Sequence, residues 1–218
     1  MGVADINAES AEETAGLIRA AGHEAYAYGG DMSRRQVFLD IADDFAAKGG
    51  RIDAIINNAM HLHYCPVEEV EEERLGIMLD IGVKAPFWAA QALLKHYDEK
   101  RGASMINFSS PVVHRGYPKT SAYSAAKGAI TTLTKVLGAE LGPRGIRVNA
   151  VSPASVPTPG ALGMVSKEEY ARRAATIPLR RIGTEEDNAN AIAFLLSKEA
   201  SFVNGEIFNV DGGASSAA

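Results

Sequence analysis

The stretch INFSSPVVHRGYPKTSAYSAAKGA, residues 106–129, holds Ser110, Tyr123 and Lys127 within one short span. The apolar run Ser104 to Phe108 reads as a strand, and Ser121 to Leu141 reads as a helix. Ser110 therefore stands at the C-terminal end of a buried strand, where open α/β sheets place their ligands. Tyr123 and Lys127 are four residues apart on the helix and project from one face. A phenol is a poor acid or base near neutrality, because its unperturbed pKa is about 10, but an ammonium one turn away favours the phenolate. Tyr123 can then exchange a proton with a carbonyl or alcohol oxygen that the Ser110 hydroxyl orients. A Tyr-x-x-x-Lys pair alone is commonplace on a surface. The serine upstream at a strand end, in a chain of this pattern, is what makes it a site.

Around that span, short apolar runs alternate with helical patterns. Gly2 to Ala4, Ala25 to Tyr28 and Ile52 to Ile56 read as strands, separated by helices over about Ala8 to Ala21 and Arg34 to Ala47. A helix over about Val70 to Tyr97 precedes the central span. A strand at Arg147 to Val151, helices between Lys167 and Ser197, and a strand at Glu206 to Val210 follow it. Buried strands separated by helices predict an α/β fold with a doubly wound parallel sheet, and residues 1–218 read as one domain. The Pro- and Gly-rich stretch Pro153 to Gly163 reads as a mobile loop over a ligand crevice. No glycine-rich turn precedes the first strand, so the expectation is a Rossmann-like sheet lacking its first strand and helix.

The 218 residues carry a formal net charge of −5 and 7% aromatics, which leaves no basic face for nucleic acid. The start MGVADINAES has neither the basic opening nor the apolar stretch of a signal peptide, and a cytoplasmic protein with no membrane partner is expected. One cysteine, Cys65, forms no intrachain disulfide and fits a reducing compartment.

These motifs together resemble the short-chain dehydrogenases/reductases over essentially the whole chain. Asn57 to Ala59 (NNA) is similar to the family's fourth-strand motif, Ser110, Tyr123 and Lys127 to its catalytic triad, RVNAVSP to its sixth strand, and GEIFNVDGG to its closing strand and turn. The resemblance implies that Tyr123 is the general acid/base, that Lys127 lowers its pKa and binds the nicotinamide ribose, and that Ser110 holds the reacting oxygen. It also implies NAD(H) as cofactor and a small carbonyl or alcohol as substrate. Asp5 resembles the acid that bonds the adenosine ribose and disfavours a 2′-phosphate, although a helix N-cap would equally place an Asp there. Asp31 resembles the acid beside the adenine, Asn57 the residue near the adenosine, and Thr158 the threonine that bonds the carboxamide. The helix from Val70 and the helix from Ser121, the fourth and fifth in the family's count, would pair in a homodimer or homotetramer, and the small residues of the latter permit close packing.

Three positions depart from the family's pattern. Met60 replaces the glycine of NNAG, Gly82 replaces a helix asparagine, and Ala154 replaces the glycine that follows Pro153. Met60 adds bulk beside the expected cofactor. Gly82 removes an amide that helps hold a relay water in the family, and a helix-interior glycine costs about 1 kcal/mol. With the missing glycine-rich turn, these changes leave three readings open: an NAD(H)-dependent oxidoreductase; an enzyme using Ser110, Tyr123 and Lys127 for elimination, isomerisation or cyclisation without a dinucleotide; or a catalytically silent subunit. A start upstream of Met1 would account for the missing turn. His61, His63 and Cys65 alternate as zinc ligands can, but no fourth ligand is evident and no metal is assigned; they read as pocket lining. His114, four residues after Ser110, is a candidate substitute acid or base if the relay is broken, although such a residue more often lines a pocket or faces solvent. The acidic run Glu68 to Glu73 reads as helix N-terminal charge and a solvated face.

Overall fold

The computed structural model describes residues 1–158 and 165–216. The expected loop Pro153 to Gly163 therefore falls partly, at 159–163, outside the described residues. Among the described residues six parallel strands form two sheets: β1 (Gly2–Asp5) with β2 (Tyr26–Gly29), and β3 (Ala54–Asn57), β4 (Ala103–Phe108), β5 (Ile146–Pro153) and β6 (Ile207–Val210) in that order. The β4–β5 ladder runs from Ala103 opposite Ile146 to Phe108 opposite Val151. Both strands are buried on both faces, and their buried Ser104, Asn107 and Asn149 side chains are hydrogen-bonded, to Arg147, Thr134 and the Val203 carbonyl respectively. β3 is different. It has one neighbour, and Ile56 remains 41% exposed.

Among the described residues there are seven α-helices: α1 (Ala8–Ala20), α2 (Arg35–Gly49), α3 (Glu72–Leu79), α4 (Ala85–His96), α5 (Ser121–Leu141), α6 (Lys167–Thr176) and α7 (Glu185–Leu196). The main core gathers Ala42 and Ala46 of α2, Ala89 and Leu93 of α4, Leu137 and Leu141 of α5, and Met105 and Val148 of the sheet. A smaller one lies between Ile106, Val151 and Leu195. The run Glu72–His96 is long and apolar enough to cross a bilayer, but its Met78, Ala85, Ala89, Ala92 and Leu93 are buried inside this fold.

Three local outcomes differ from the sequence expectations. The single helix expected over Val70 to Tyr97 begins after a 3-10 turn at Val67–Glu69, and its middle, Asp80–Lys84, is a π-turn joining α3 to α4. Pro86 explains the break. It has no N–H to give the Gly82 carbonyl, and its ring would crowd that carbonyl in a regular helix, so the chain widens by one residue there. Ile52 is not in a strand: its N–H donates to the His96 carbonyl (2.9 Å), which makes it a buried connector ahead of β3. Lastly, α1 is capped by Asn7, whose side chain accepts from the Glu9 and Ser10 amides, and Asp5 accepts instead from Asn7 N (2.8 Å). Asp5 is thus not the N-cap.

Candidate active site

Ser110 follows β4 and caps the short 3-10 turn Pro111–Val113. Its backbone is extended (φ −164°), and the residue is buried, 8% exposed, with its hydroxyl hydrogen-bonded with Tyr123. Tyr123 lies in the first turn of α5 and Lys127 one turn on, so the helix presents phenol and ammonium on one face. Two polar tethers fix α5 against β4. Ser109 shares a 2.7 Å hydrogen bond with Thr131, which donates to the Lys127 carbonyl (2.8 Å). Deeper in, Asn57 donates to Asn107 (2.8 Å), Asn107 to Thr134 (3.0 Å), and Thr134 to the Ile130 carbonyl (2.8 Å), joining β3, β4 and α5. Buried polar chains of this kind are stable when each member is satisfied, and these are.

The charges at the site follow from burial. Lys127 is 5% exposed, donates to the Phe108 carbonyl (2.7 Å), and lies 5.6 Å from the Tyr123 ring centre. Burial pulls its ammonium down to about 8. Burial also pushes the Tyr123 phenol above its ordinary value, against the smaller opposing effect of the Ser110 hydrogen bond. Without ligand, desolvation therefore outweighs any help from Lys127, and Tyr123 is a neutral hydroxyl at physiological pH. An ammonium has three donors, and among the described residues a protein oxygen takes only one of them.

The residues expected to hold the cofactor lie at or just beyond strand ends. Asp5 ends β1 and is exposed, and Asp31 comes just after β2 and accepts from Ser33 N (3.0 Å) and Oγ (2.6 Å). Asn57 ends β3 with its amide turned toward Asn107, and Thr158 lies five residues beyond β5, half-buried, with its N–H on the Val156 carbonyl. His114 is exposed. His63 and Cys65 line a cavity of about 10 Å³ with Arg74, Lys119 and Ala122, while His61 Nε2 is buried without a hydrogen-bond partner. Among the described residues no three His, Cys, Asp or Glu side chains are grouped to hold a metal.

Two departures from the family's pattern meet in space. A Cβ built on Gly82 would lie 3.2 Å from Met60 Cε, 3.3 Å from Met60 Sδ and 3.2 Å from the Ala126 Cβ. The Met60 thioether fills the place a side chain at residue 82 would take. Tyr64, which the sequence did not single out, packs edge-to-face on Tyr123 with ring centres 5.4 Å apart. Its place in an irregular loop gave no periodic signal.

Comparisons with known proteins agree with this architecture. The family model described as enoyl-(acyl carrier protein) reductase matches residues 1–215. An uncharacterized oxidoreductase of Methylorubrum extorquens is 38% identical over 90% of this chain and 79% of its own length. A short-chain dehydrogenase/reductase of Pestalotiopsis microspora is 34% identical over 94% of this chain and 82% of its own. Among solved structures, a 7α-hydroxysteroid dehydrogenase complexed with NADH and 7-oxo glycochenodeoxycholic acid superposes with a TM-score of 0.92 at 27% identity, covering 97% of this chain and 83% of that one. The chain belongs to the short-chain dehydrogenase/reductase family of oxidoreductases.

Proposed function

We propose that this oxidoreductase interconverts a carbonyl and an alcohol with NAD(H), using Tyr123 as general acid/base, Ser110 to hold the reacting oxygen and Lys127 to stabilise the phenolate. The observation that carries the reading is the buried Lys127, whose ammonium, among the described residues, keeps two donors uncommitted beside the neutral Tyr123. Leaving such donors without acceptors is costly, and ribose hydroxyls would satisfy them. Asp5 and Asp31, at the ends of β1 and β2, would hold the adenosine end, with Asn57 near it and Thr158 at the carboxamide. An exposed carboxylate at Asp5 repels a 2′-phosphate, which favours NAD over NADP.

In the reductive direction Ser110 donates to the substrate carbonyl oxygen and Tyr123 delivers its proton to it. Lys127 then stabilises the phenolate left behind, and in the oxidative direction the same groups run in reverse. When bound, the nicotinamide supplies or accepts the hydride. The Tyr123 proton is held in place because burial opposes its loss to water until the reacting oxygen needs it.

Titration of the protein with NADH and NADPH, followed by ligand fluorescence and thermal shift, tests the cofactor assignment. Saturable NADH binding at least about tenfold tighter than NADPH binding is expected from repulsion at Asp5. Preference for NADPH, or no binding by a folded chain, contradicts it.

A further inference from the structure

We propose that Tyr64 is a positioning residue for the acid/base tyrosine, its ring fixing the plane of the Tyr123 ring and keeping water from that side of the phenol. The inference rests on the reading of Tyr123 given above. Its geometry is direct: the rings meet at 5.4 Å and 83°, the edge-to-face arrangement in which one ring's positive edge meets the other's negative face. The loop that carries Tyr64 is pinned where it matters, because the next residue, Cys65, donates its N–H to the Lys119 carbonyl (3.0 Å) just ahead of α5. Lys119 takes a left-handed conformation (φ 69°) there, so the tether is made at some conformational cost.

Core filling does not account for Tyr64. Its side chain stays 42% exposed, and it belongs to neither core cluster. A phenyl-sized group left half in water on top of a catalytic ring acts on that ring more than on the fold. The groups facing the pair are Ser110 beyond β4, Lys127 on α5, and Arg173 on α6, whose guanidinium is held by Glu169 (2.8 Å) and Ser155 (2.9 Å). Burial and the neighbouring Tyr123 push the Tyr64 hydroxyl up to about 12, so it is uncharged wherever the enzyme works and contributes through its ring.

The test compares Tyr64→Phe, Tyr64→Leu and Tyr64→Ala. Two readouts are taken: kcat and KM across pH, and the titration of Tyr123 by NMR on carbon-labelled tyrosine, with the signal assigned from Tyr123→Phe. Tyr64→Phe keeps the ring and is expected to hold kcat within about twofold with an unchanged pH profile. Tyr64→Ala is expected to lower kcat about tenfold with little change in KM, since a loosened acid loses alignment rather than binding. Water reaching Tyr123 in that variant lowers its raised pKa, so the alkaline limb of the reductive rate moves to lower pH. Tyr64→Leu keeps bulk without the aromatic edge and is expected to lie between, which decides the matter if the alanine variant does not fold. An unchanged Tyr123 titration in the alanine or leucine variant overturns the proposal, as does a Tyr64→Phe enzyme as impaired as Tyr64→Ala. The NMR titration reads the Tyr64–Tyr123 coupling even in a protein that turns nothing over, so failure of the oxidoreductase reading would be seen separately.

Discussion

Lys127 brings a positive charge into a site where, among the described residues, one carbonyl and an aromatic ring receive it. Its folded pKa of about 8 lies below the ordinary 10.5, so between those values the unfolded chain binds a proton that the folded chain has released. Stability must therefore rise with pH across that window, and at neutral pH the buried ammonium weakens the fold. Lys127→Met keeps the stem and removes the charge. It is expected to stabilise the protein at pH 7 by on the order of 1–3 kcal/mol and to flatten the rise above pH 8, as read by urea unfolding at several pH values. A variant less stable at pH 7 with the same slope would contradict this. That Tyr123 and Lys127 share one face was legible in the sequence, because helical spacing of four residues brings two side chains together whatever the surroundings. The direction of the Tyr123 shift was not, since burial depends on groups distant in sequence, such as the Tyr64 ring in contact with it, and cannot be read from local spacing.

At the scale of elements, the π-turn between α3 and α4 shows how two separate departures from a family pattern form one feature. Pro86 forces the widening, Gly82 sits within it, and the loop after β3 closes over it with Met60. The sequence gives each change separately, 22 positions apart, and read that way each looks like a loss. Packed together, they exchange volume: a large side chain on the loop for none on the turn. Restoring an asparagine alone, Gly82→Asn, is expected to overpack the contact with Met60 and Ala126 and cost about 1–3 kcal/mol. Adding Met60→Gly in the same chain should recover at least about half of that loss, a non-additivity that a double-mutant cycle of thermal or urea unfolding measures. Simple additivity of the two changes would show that the contact carries no weight. The sequence boundaries that failed, at Ile52 and along Val70 to Tyr97, failed for related reasons. Apolar runs do not distinguish a connector from a strand, and a proline's effect on the preceding turn depends on whether the turn can widen.

For the whole molecule, the alternation of strands and helices was enough to predict parallel strands with covering helices, because an amphipathic helix has an apolar face that a sheet or another helix must bury. It did not predict that β1–β2 and β3–β6 would form separate ladders, or that β3 would leave an edge unpaired and Ile56 exposed. Those outcomes depend on which strands become neighbours, which local patterning does not encode. The proposed function gathers its residues at strand ends: Asp5 and Asn57 close β1 and β3, Asp31, Ser110 and Thr158 come after β2, β4 and β5, and α5 brings Tyr123 and Lys127 to the end of β4. The most direct test is the rate of NADH oxidation with a panel of small ketones, measured side by side for the unmodified protein and Tyr123→Phe. We expect turnover by the former and a loss of at least about 100-fold in the variant, with NADH affinity unchanged, because the phenol moves a proton and holds little of the cofactor. A Tyr123→Phe protein that oxidises NADH as fast as its parent would contradict the account.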